Sequence, residues 1–161
     1  MLTIELQAQI VQQVKDCLEL ASQHLQRDFP LPQVKFNQRG KIAGCARLQA
    51  NELRFNPILL QDNLQIFIDE VVPHEVCHLV AYQIYGRVRP HGVQWQKLMA
   101  ELFDLQATPR HTMDVTKVQG KSFDYMCKCG PLTLSIRRHN KVLGNKHSYI
   151  CRRCKQVLVA A

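Results

Sequence analysis

The stretch PHEVCHLVAYQIYGRVRPHG, from Pro73 to Gly92, decides how the rest of the chain is arranged. It contains the pentapeptide HEVCH, in which His74 and His78 are four residues apart and Glu75 follows the first histidine. On a helix, residues four apart lie on one face about one turn from each other, so two imidazoles can bind one metal ion. The pattern therefore predicts a helix that carries the site of a zinc hydrolase, with Glu75 beside the metal ion.

A catalytic zinc ion usually has three protein ligands and one open position, so a third ligand should follow the helix. Metzincin peptidases have a glycine and a histidine three and six residues after the second histidine, where this chain has Ala81 and Ile84, and that class is excluded. Two candidates remain after His78. One is His91, thirteen residues further on, and the other is Glu101, the kind of downstream glutamate that gluzincins use. The spacing alone leaves both open.

The segments before this helix predict a small α+β unit. In residues 3–26, apolar side chains recur every three or four positions, which predicts an amphipathic helix. Residues 34–55 contain short alternating segments separated by glycines, which predict two or three antiparallel strands. Asn56-Pro57 then predicts an N-cap, followed by a short helix over residues 58–61.

The metal-site helix should be bounded by residues with special backbone properties. Asp62 is placed to cap a longer helix that leads into HEVCH, and Pro73 predicts a kink or a fresh helix start because it has no N–H to donate. Gly86 suits the position after the helix C-terminus. Residues 93–104 resume helical spacing, and Thr108-Pro109 predicts a closing turn. Residues 110–122 have little periodicity and predict a linker.

Four of the seven cysteines occur in the last part of the chain, as Cys127-Lys-Cys129 and Cys151-Arg-Arg-Cys154. In a reducing cytoplasm, clustered cysteines are more often metal ligands than disulfides. Two close pairs can hold one zinc ion in a closed tetrahedral site, which would stabilise a segment too short to fold by core burial alone. We therefore predict a zinc ribbon with a hairpin between the pairs and strands at residues 123–126, 132–137, 147–150 and 156–159. The other cysteines, Cys17, Cys45 and Cys77, are predicted to be small buried hydrophobes.

The net charge of +8 is concentrated in the tail, because residues 1–110 contain equal numbers of basic and acidic side chains. This asymmetry favours a nucleic acid as partner, and the alternative is a solvated basic face. Tyr125 and Tyr149 are available for stacking on exposed bases. His139 and His147 are predicted to be surface residues rather than ligands. The basic strip of the tail comprises Arg137, Arg138, Lys141, Lys146, Arg152, Arg153 and Lys155.

The composition, with 46% hydrophobic residues, seven Gly and seven Pro, is typical of a globular protein. The sequence has no run of about eighteen apolar residues, the length needed to span a membrane, and its N-terminus lacks a secretory-leader pattern. These observations predict a cytoplasmic protein that has no membrane partner, and we expect a monomer.

HEVCH, the histidine thirteen residues further on, Trp95 and the terminal cysteine cluster together resemble the SprT-like family, which contains bacterial SprT proteins and the Spartan protease of eukaryotes. The resemblance covers nearly the whole chain. It implies a zinc-dependent metallopeptidase in which His74, His78 and His91 bind zinc and Glu75 is the general base. Members related to Spartan act on proteins crosslinked to DNA and are stimulated by DNA. For Trp95 we expect core packing rather than substrate contact.

These observations together predict an α+β fold: a small antiparallel sheet with an HExxH helix and flanking helices, followed by a C-terminal zinc ribbon. Residues 1–112 would form the peptidase domain, and residues 113–161 the linker and the basic ribbon. One zinc ion would be catalytic and the other structural. The favoured function is cleavage of proteins held on DNA. The alternatives are a non-catalytic nucleic-acid-binding protein stabilised by zinc, and a general peptidase whose tail contacts acidic proteins.

Overall fold

In the computed structural model, which describes residues 2–105 and 113–161, the chain divides into two units after Val118. The first unit is Met1–Val118 and the second is Gln119–Ala161. The predicted α+β class is confirmed, with small sheets, several helices and a C-terminal cysteine cluster. None of the helices within the described residues is long and apolar enough to cross a membrane.

Helix α1, Ile4–Leu25, forms as its three- and four-residue spacing predicts. The Thr3 hydroxyl accepts a hydrogen bond from the Leu6 N–H (3.2 Å), which satisfies one of the unpaired donors of the first turn. The apolar face of α1 packs against the HEVCH helix. It contributes Ile10, Val14, Cys17, Leu18 and Ala21 to the core.

The sheet of the first unit consists of β1 (Gln33–Lys35), β2 (Gly44–Arg47) and β3 (Glu52–Phe55) in the order β1-β3-β2. Strand β2 is antiparallel to β3, as predicted, but β1 is parallel to β3, which corrects the expectation of a purely antiparallel sheet. The segment between β1 and β2 is not a tight hairpin. It crosses the end of β3, where the Asn56 amide donates to the Gly40 carbonyl oxygen (2.7 Å).

Helix α2, Pro57–Asp62, begins at the predicted Asn56-Pro57 pair. The Asn56 side-chain oxygen accepts hydrogen bonds from two N–H groups of the first turn (3.1 and 3.4 Å). Asp62 does not cap the next helix, because it ends α2 and its carboxylate accepts a hydrogen bond from the Lys117 ammonium group (2.7 Å). Asn63 holds the position before the next helix and makes no capping bond through its side chain. The prediction for Asp62 is therefore wrong.

A short helix α3, Leu64–Ile66, leads into a π-helical turn, Phe67–Val71, and helix α4, Val72–Tyr85, follows. Pro73 cannot donate to the carbonyl four residues earlier, and its ring crowds that turn. The wider π turn relieves the crowding, since the Val72 N–H donates to the carbonyl oxygen five residues earlier. The predicted interruption at Pro73 is thus confirmed, in the form of a π turn.

Helix α4 lies against α1, β2 and helix α5, Val93–Phe103, so that the HEVCH segment is at the centre of the first unit. As predicted, α4 ends before Gly86, whose φ of 71° is a conformation that favours glycine. The predicted turn at Thr108-Pro109 lies outside the described residues. Residues 113–118, for which the sequence predicts a linker, pack on the core of the first unit through Met113, Val115 and Val118.

The second unit has a sheet in the order β5-β4-β6, formed by β4 (Ser122–Cys127), β5 (Gly130–Ser135) and β6 (Val159–Ala160). Both pairings are antiparallel. The strand predicted at residues 147–150 is reduced to a single bridge between Ile150 and Val157.

Between the cysteine pairs lies helix α6, Ile136–Leu143, where the sequence predicts the end of a strand and a hairpin. The helix contains few apolar residues, which is why its periodicity is hard to see in the sequence. Val142 and the half-buried His139, three residues apart, face the small core of this unit, while Arg137, Arg138 and Lys141 are exposed.

Candidate metal centres

Two groups of potential metal ligands occur in the described residues, and the first is His74, His78 and His91. Their Nε2 atoms are 3.2 Å (His74 to His78), 3.1 Å (His78 to His91) and 3.0 Å (His74 to His91) apart. Helix α4 supplies two of the imidazoles from adjacent turns, and the loop before α5 supplies the third. The structure therefore brings the three predicted ligands around one point.

The three nitrogen atoms fit a tetrahedral metal ion. For Zn–N bonds of about 2.0–2.1 Å, two corners of a tetrahedron lie about 3.3 Å apart, close to the separations of 3.0–3.2 Å seen here. Unprotonated nitrogen atoms that face one another at this distance repel through their lone pairs, and a bound cation removes that repulsion. Imidazole donors favour zinc and related transition metals over the harder Mg²⁺ and Ca²⁺.

The environment keeps two of these imidazoles, those of His78 and His91, in the form that binds metal. Burial, with a contribution from His74 and His91, lowers the pKa of His78 to about 3. Burial also lowers the pKa of His91 below its usual range. Since a metal ion binds the neutral imidazole, His78 and His91 can take up metal at neutral pH without first releasing a proton.

His91 reaches the other two histidines from a backbone conformation that non-glycine residues rarely adopt, with a φ of 56°. Hydrogen bonds hold the loop on both sides. The Gly92 N–H donates to the Arg89 carbonyl oxygen (3.0 Å), and the Gln96 side-chain amide donates to the His91 carbonyl oxygen (3.0 Å). The role of Gln96 was not predicted, because nothing in the sequence distinguishes it from the chain's other glutamines.

Trp95 packs in the core as predicted, with 1% of its surface exposed. Its ring stacks on His78, with centroids 5.3 Å apart and planes at 21°, and it meets His74 and His91 at steep angles with centroid distances of 4.7 Å. The Trp95 indole N–H also donates to the His74 carbonyl oxygen (3.3 Å). One side chain thus restricts the positions of all three imidazoles, a role that the sequence does not reveal.

Glu75 is buried, with 7% of its surface exposed, and lies between α4 and strand β2. Burial raises the pKa of its carboxyl group to about 8, and a hydrogen bond from the Ala46 N–H opposes part of that rise. A carboxyl group with a pKa near neutrality can both accept and return a proton. Glu101, the alternative third ligand, instead forms an exposed ion pair with Lys97 (3.7 Å) on α5 and is not part of the ligand group.

The second group consists of Cys127, Cys129, Cys151 and Cys154, whose sulfur atoms all lie within 4.8 Å of one another. Backbone N–H groups of Cys154 and Arg153 donate to the Cys151 sulfur, which lowers the pKa of that thiol to about 6 and favours the thiolate that binds metal. The tight Cys127-x-Cys129 turn closes through Gly130, whose φ is 116°. The cluster suits a closed zinc site of four sulfur ligands.

Two predictions about the aromatic and imidazole side chains of the ribbon need correction. Tyr125 is fully buried, with its hydroxyl group 3.0 Å from the His139 Nδ1 atom, so it cannot stack on a nucleic-acid base. His139 is half-buried and stacks on Phe123 (3.7 Å) rather than lying on the surface. His147 is exposed as predicted, and Tyr149 is half-buried beneath the Arg138 guanidinium group.

Of the three scattered cysteines, Cys17 and Cys77 are buried as predicted, with 3% and 0% of their surfaces exposed. Cys45 is only partly buried, and its thiol donates to the Gln38 side-chain oxygen (3.2 Å). It lies on β2, which has a neighbouring strand on one side only, and this explains its partial exposure.

The chain was compared with protein families and with known proteins. The model of the SprT-like family matches residues 14–115, and that of the SprT-like zinc ribbon domain matches residues 121–161. Protein SprT of Vibrio parahaemolyticus is 52% identical over 155 residues, covering 96% of this chain and 94% of the relative. Protein SprT of Shewanella oneidensis is 46% identical, covering 97% and 100%. Protein SprT of Yersinia pestis is 47% identical, covering 96% and 91%.

No solved structure matches the chain. The two family matches cover the units that carry the histidine and the cysteine clusters, and the relatives align over nearly their full length. The chain therefore belongs to the SprT-like family and carries the SprT-like zinc ribbon.

Proposed function

We propose that this protein is a zinc-dependent peptidase that cleaves proteins bound or crosslinked to DNA. The observation that carries the proposal is the convergence of three Nε2 atoms within 3.2 Å of one another, with a glutamate next to His74 on the same helix. The HExxH pattern and the family membership point to the same chemistry.

In this proposal His74, His78 and His91 hold the metal ion, and Glu75 moves the proton. A zinc ion held there would act as a Lewis acid, polarising the peptide carbonyl and making water more acidic. The Glu75 carboxylate accepts a proton from the attacking water molecule and delivers it to the amine of the leaving peptide. Its pKa of about 8 results mainly from burial, and the charge of a nearby dication would bring it down towards neutrality.

The two ligand groups would have different roles. The histidine group has three ligands among the described residues, so a tetrahedral ion there would keep one position for substrate or water. The cysteine group has four, which closes the coordination shell and makes a structural role the better assignment. Thiolate ligands persist in a reducing compartment, and for this reason we place the protein in the cytoplasm.

The partner is proposed from the charge of the second unit. All seven residues of the basic strip are exposed, and Lys and Arg side chains bind nucleic acids chiefly through their phosphates. The resemblance to Spartan-related proteins, which act on DNA-crosslinked proteins, supports the same partner. The ribbon would anchor the protein on DNA, and the histidine site would cut protein held nearby.

One observation favours a second candidate function. Glu75 is almost completely buried, as a purely structural side chain would be. In that case the protein would be a nucleic-acid-binding module whose histidine-bound zinc only stabilises the fold.

A cleavage experiment separates the two functions. Wild type and Glu75→Gln are incubated with a DNA-binding protein as substrate, with and without DNA and with and without a zinc chelator. The peptidase proposal expects wild-type cleavage that depends on DNA and is abolished by chelator. It also expects Glu75→Gln to keep its zinc and DNA binding but to lose about 10²–10⁴-fold in cleavage rate, the usual contribution of a general base. Undiminished cleavage by Glu75→Gln contradicts the mechanism, and absence of wild-type cleavage with intact DNA binding supports the second candidate.

A further inference from the structure

Strand β2 approaches helix α4 at Gly44 so closely that no side chain fits between them. A β-carbon added to Gly44 would lie 2.9 Å from the Glu75 Cγ atom, 3.2 Å from the Glu75 Oε1 atom and 3.1 Å from the Val71 Cγ1 atom. A separation under 3.0 Å requires a neighbouring atom to move. Because Gly44, Glu75 and Val71 are all buried, there is little free space into which the glutamate could move.

The lack of room for a side chain, rather than an unusual backbone conformation, explains why residue 44 is a glycine. The φ of Gly44 is not in the positive range, whereas those of Gly40, Gly86 and Gly130 are. An alanine could therefore adopt the Gly44 backbone without strain. Of the chain's seven glycines, Gly44 is the one whose added β-carbon would meet buried side chains. For the others, a β-carbon would meet no atom within 4 Å or would first meet a backbone carbonyl oxygen.

The same strand also supplies a hydrogen-bond donor to the glutamate. The Ala46 N–H donates to the Glu75 carboxylate, and Ala46 is two residues after Gly44 on the same strand. The close approach of the Gly44 backbone thus limits where the Glu75 side chain can move, and the Ala46 N–H binds its carboxylate. Two contacts from one strand can fix the direction of a side chain that has three rotatable bonds.

We infer that Gly44 is a positioning residue for Glu75: its missing side chain lets β2 hold the carboxylate in the orientation needed for proton transfer. This inference rests on the proposed function, because it assigns Gly44 a part in the work of the general base. Gly44 touches neither substrate nor metal and acts only through Glu75.

Gly44→Ala tests the inference. The added methyl group should push the carboxylate off the Ala46 N–H and lower kcat on the order of 10–100-fold, as small misplacements of catalytic groups do. KM and zinc content should remain at wild-type values, because the substrate and the three imidazoles are not touched. Gly120→Ala is the matched control, since a β-carbon there meets no atom within 4 Å, and it should leave kcat unchanged.

A second readout does not depend on activity. In the NMR spectrum of the zinc-loaded protein, the Ala46 amide proton should move upfield in Gly44→Ala, as it should in Glu75→Ala, because a hydrogen bond to the carboxylate is lost. Cobalt substitution should give the same visible spectrum for wild type and Gly44→Ala if the histidine ligands are undisturbed. Wild-type kcat together with an unshifted Ala46 resonance would overturn the inference.

A double variant keeps the inference testable if Gly44→Ala does not fold. Val71→Ala removes the methyl group that the new β-carbon would meet on its other side, so Gly44→Ala/Val71→Ala should fold and regain part of the lost kcat. A double variant with no higher kcat than Gly44→Ala would contradict the steric route. If wild type itself fails to cleave any substrate, the proposed function is wrong, and the Ala46 resonance still reports whether Gly44 orients the glutamate.

Discussion

The two candidate metal centres of this chain differ in the size of the hydrophobic core that holds their side chains in place. Among the described residues, the first unit has 24 buried apolar residues in its core, and the second has four, one of which is the candidate ligand Cys151. The three candidate histidine ligands are therefore held by packing, with Trp95 against all three rings, whereas the candidate cysteine ligands have little core around them. The comparison suggests that the first unit keeps its structure without metal and that the second depends on it.

Removal of metal should produce the largest difference between the units. With a strong zinc chelator at neutral pH, the amides of Gln119–Ala161 should lose their protection against hydrogen exchange, because zinc contributes on the order of 10 kcal/mol to folding at such sites. The emission maximum of Trp95, the chain's single tryptophan, should stay at the wavelength of a buried indole, since the first unit stays folded. Loss of protection in both units at once would contradict the conclusion that only the second unit depends on metal.

Removal of the aromatic support should affect the first unit alone. Trp95→Ala should lower the free energy of unfolding of that unit by about 3–5 kcal/mol, because it leaves a large cavity beside the three imidazoles. Trp95→Phe should cost less. Urea unfolding followed by circular dichroism measures the effect, and hydrogen exchange of the ribbon amides is the internal control. An unchanged urea midpoint for Trp95→Ala would show that packing does not hold the histidine site.

The metal-free first unit should lose stability on both sides of a mildly acidic optimum. His78 has a folded pKa of about 3 against a reference of 6.5, so the unfolded chain binds more protons and stability falls as pH drops from about 6.5. Glu75 has a folded pKa of about 8 against 4.5, so the folded chain binds more protons and stability falls as pH rises from about 4.5 to 8. Urea titrations of the chelated protein, followed by Trp95 emission, measure both changes.

Glu75→Gln is the control for the alkaline side of this profile. The substitution removes the buried ionisable group, so the net decline in stability between pH 6.5 and 8, where His78 no longer opposes it, should largely disappear. A variant that still loses the same stability over this range would rule out Glu75 as the cause.

The smallest expected effect concerns the exposed charges. Arg137→Gln and Lys141→Gln on α6 should each weaken DNA binding by a few-fold. Each should also reduce the slope of log affinity against log salt by about 0.7–0.9, the value for one lost phosphate contact. Lys15→Gln, on the exposed face of α1, is the matched control and should change neither quantity. Equal effects of all three substitutions would mean that binding is not confined to the ribbon.

The sequence predicts best where a local rule decides the structure. The spacing of HEVCH, the Asn56-Pro57 cap and the interruption at Pro73 all depend on neighbours within about one helical turn, and each is confirmed. His91 could not be preferred over Glu101 by spacing alone, because the loop that brings it to the other histidines depends on its own φ of 56° and on the hydrogen bond from the Gln96 side chain, and spacing shows neither.

Other features of the site arise only from tertiary packing. From the sequence, Trp95 is predicted only to be a core residue. Its contacts with three imidazoles arise because α5 packs against α4. Gly44 looks like a turn residue until β2 is placed against Glu75. In the ribbon, Tyr125 was predicted to be available for stacking on bases, yet its ring is fully buried in the small core of this unit.

The number of zinc ions bound per chain shows whether the three histidines form a metal centre. After dialysis against a weak chelator, wild type should retain about two zinc ions per chain, and His91→Ala should retain about one while its ribbon amides stay protected. A wild-type protein with a single zinc ion that His91→Ala keeps would contradict the claim that the three histidines form a metal centre.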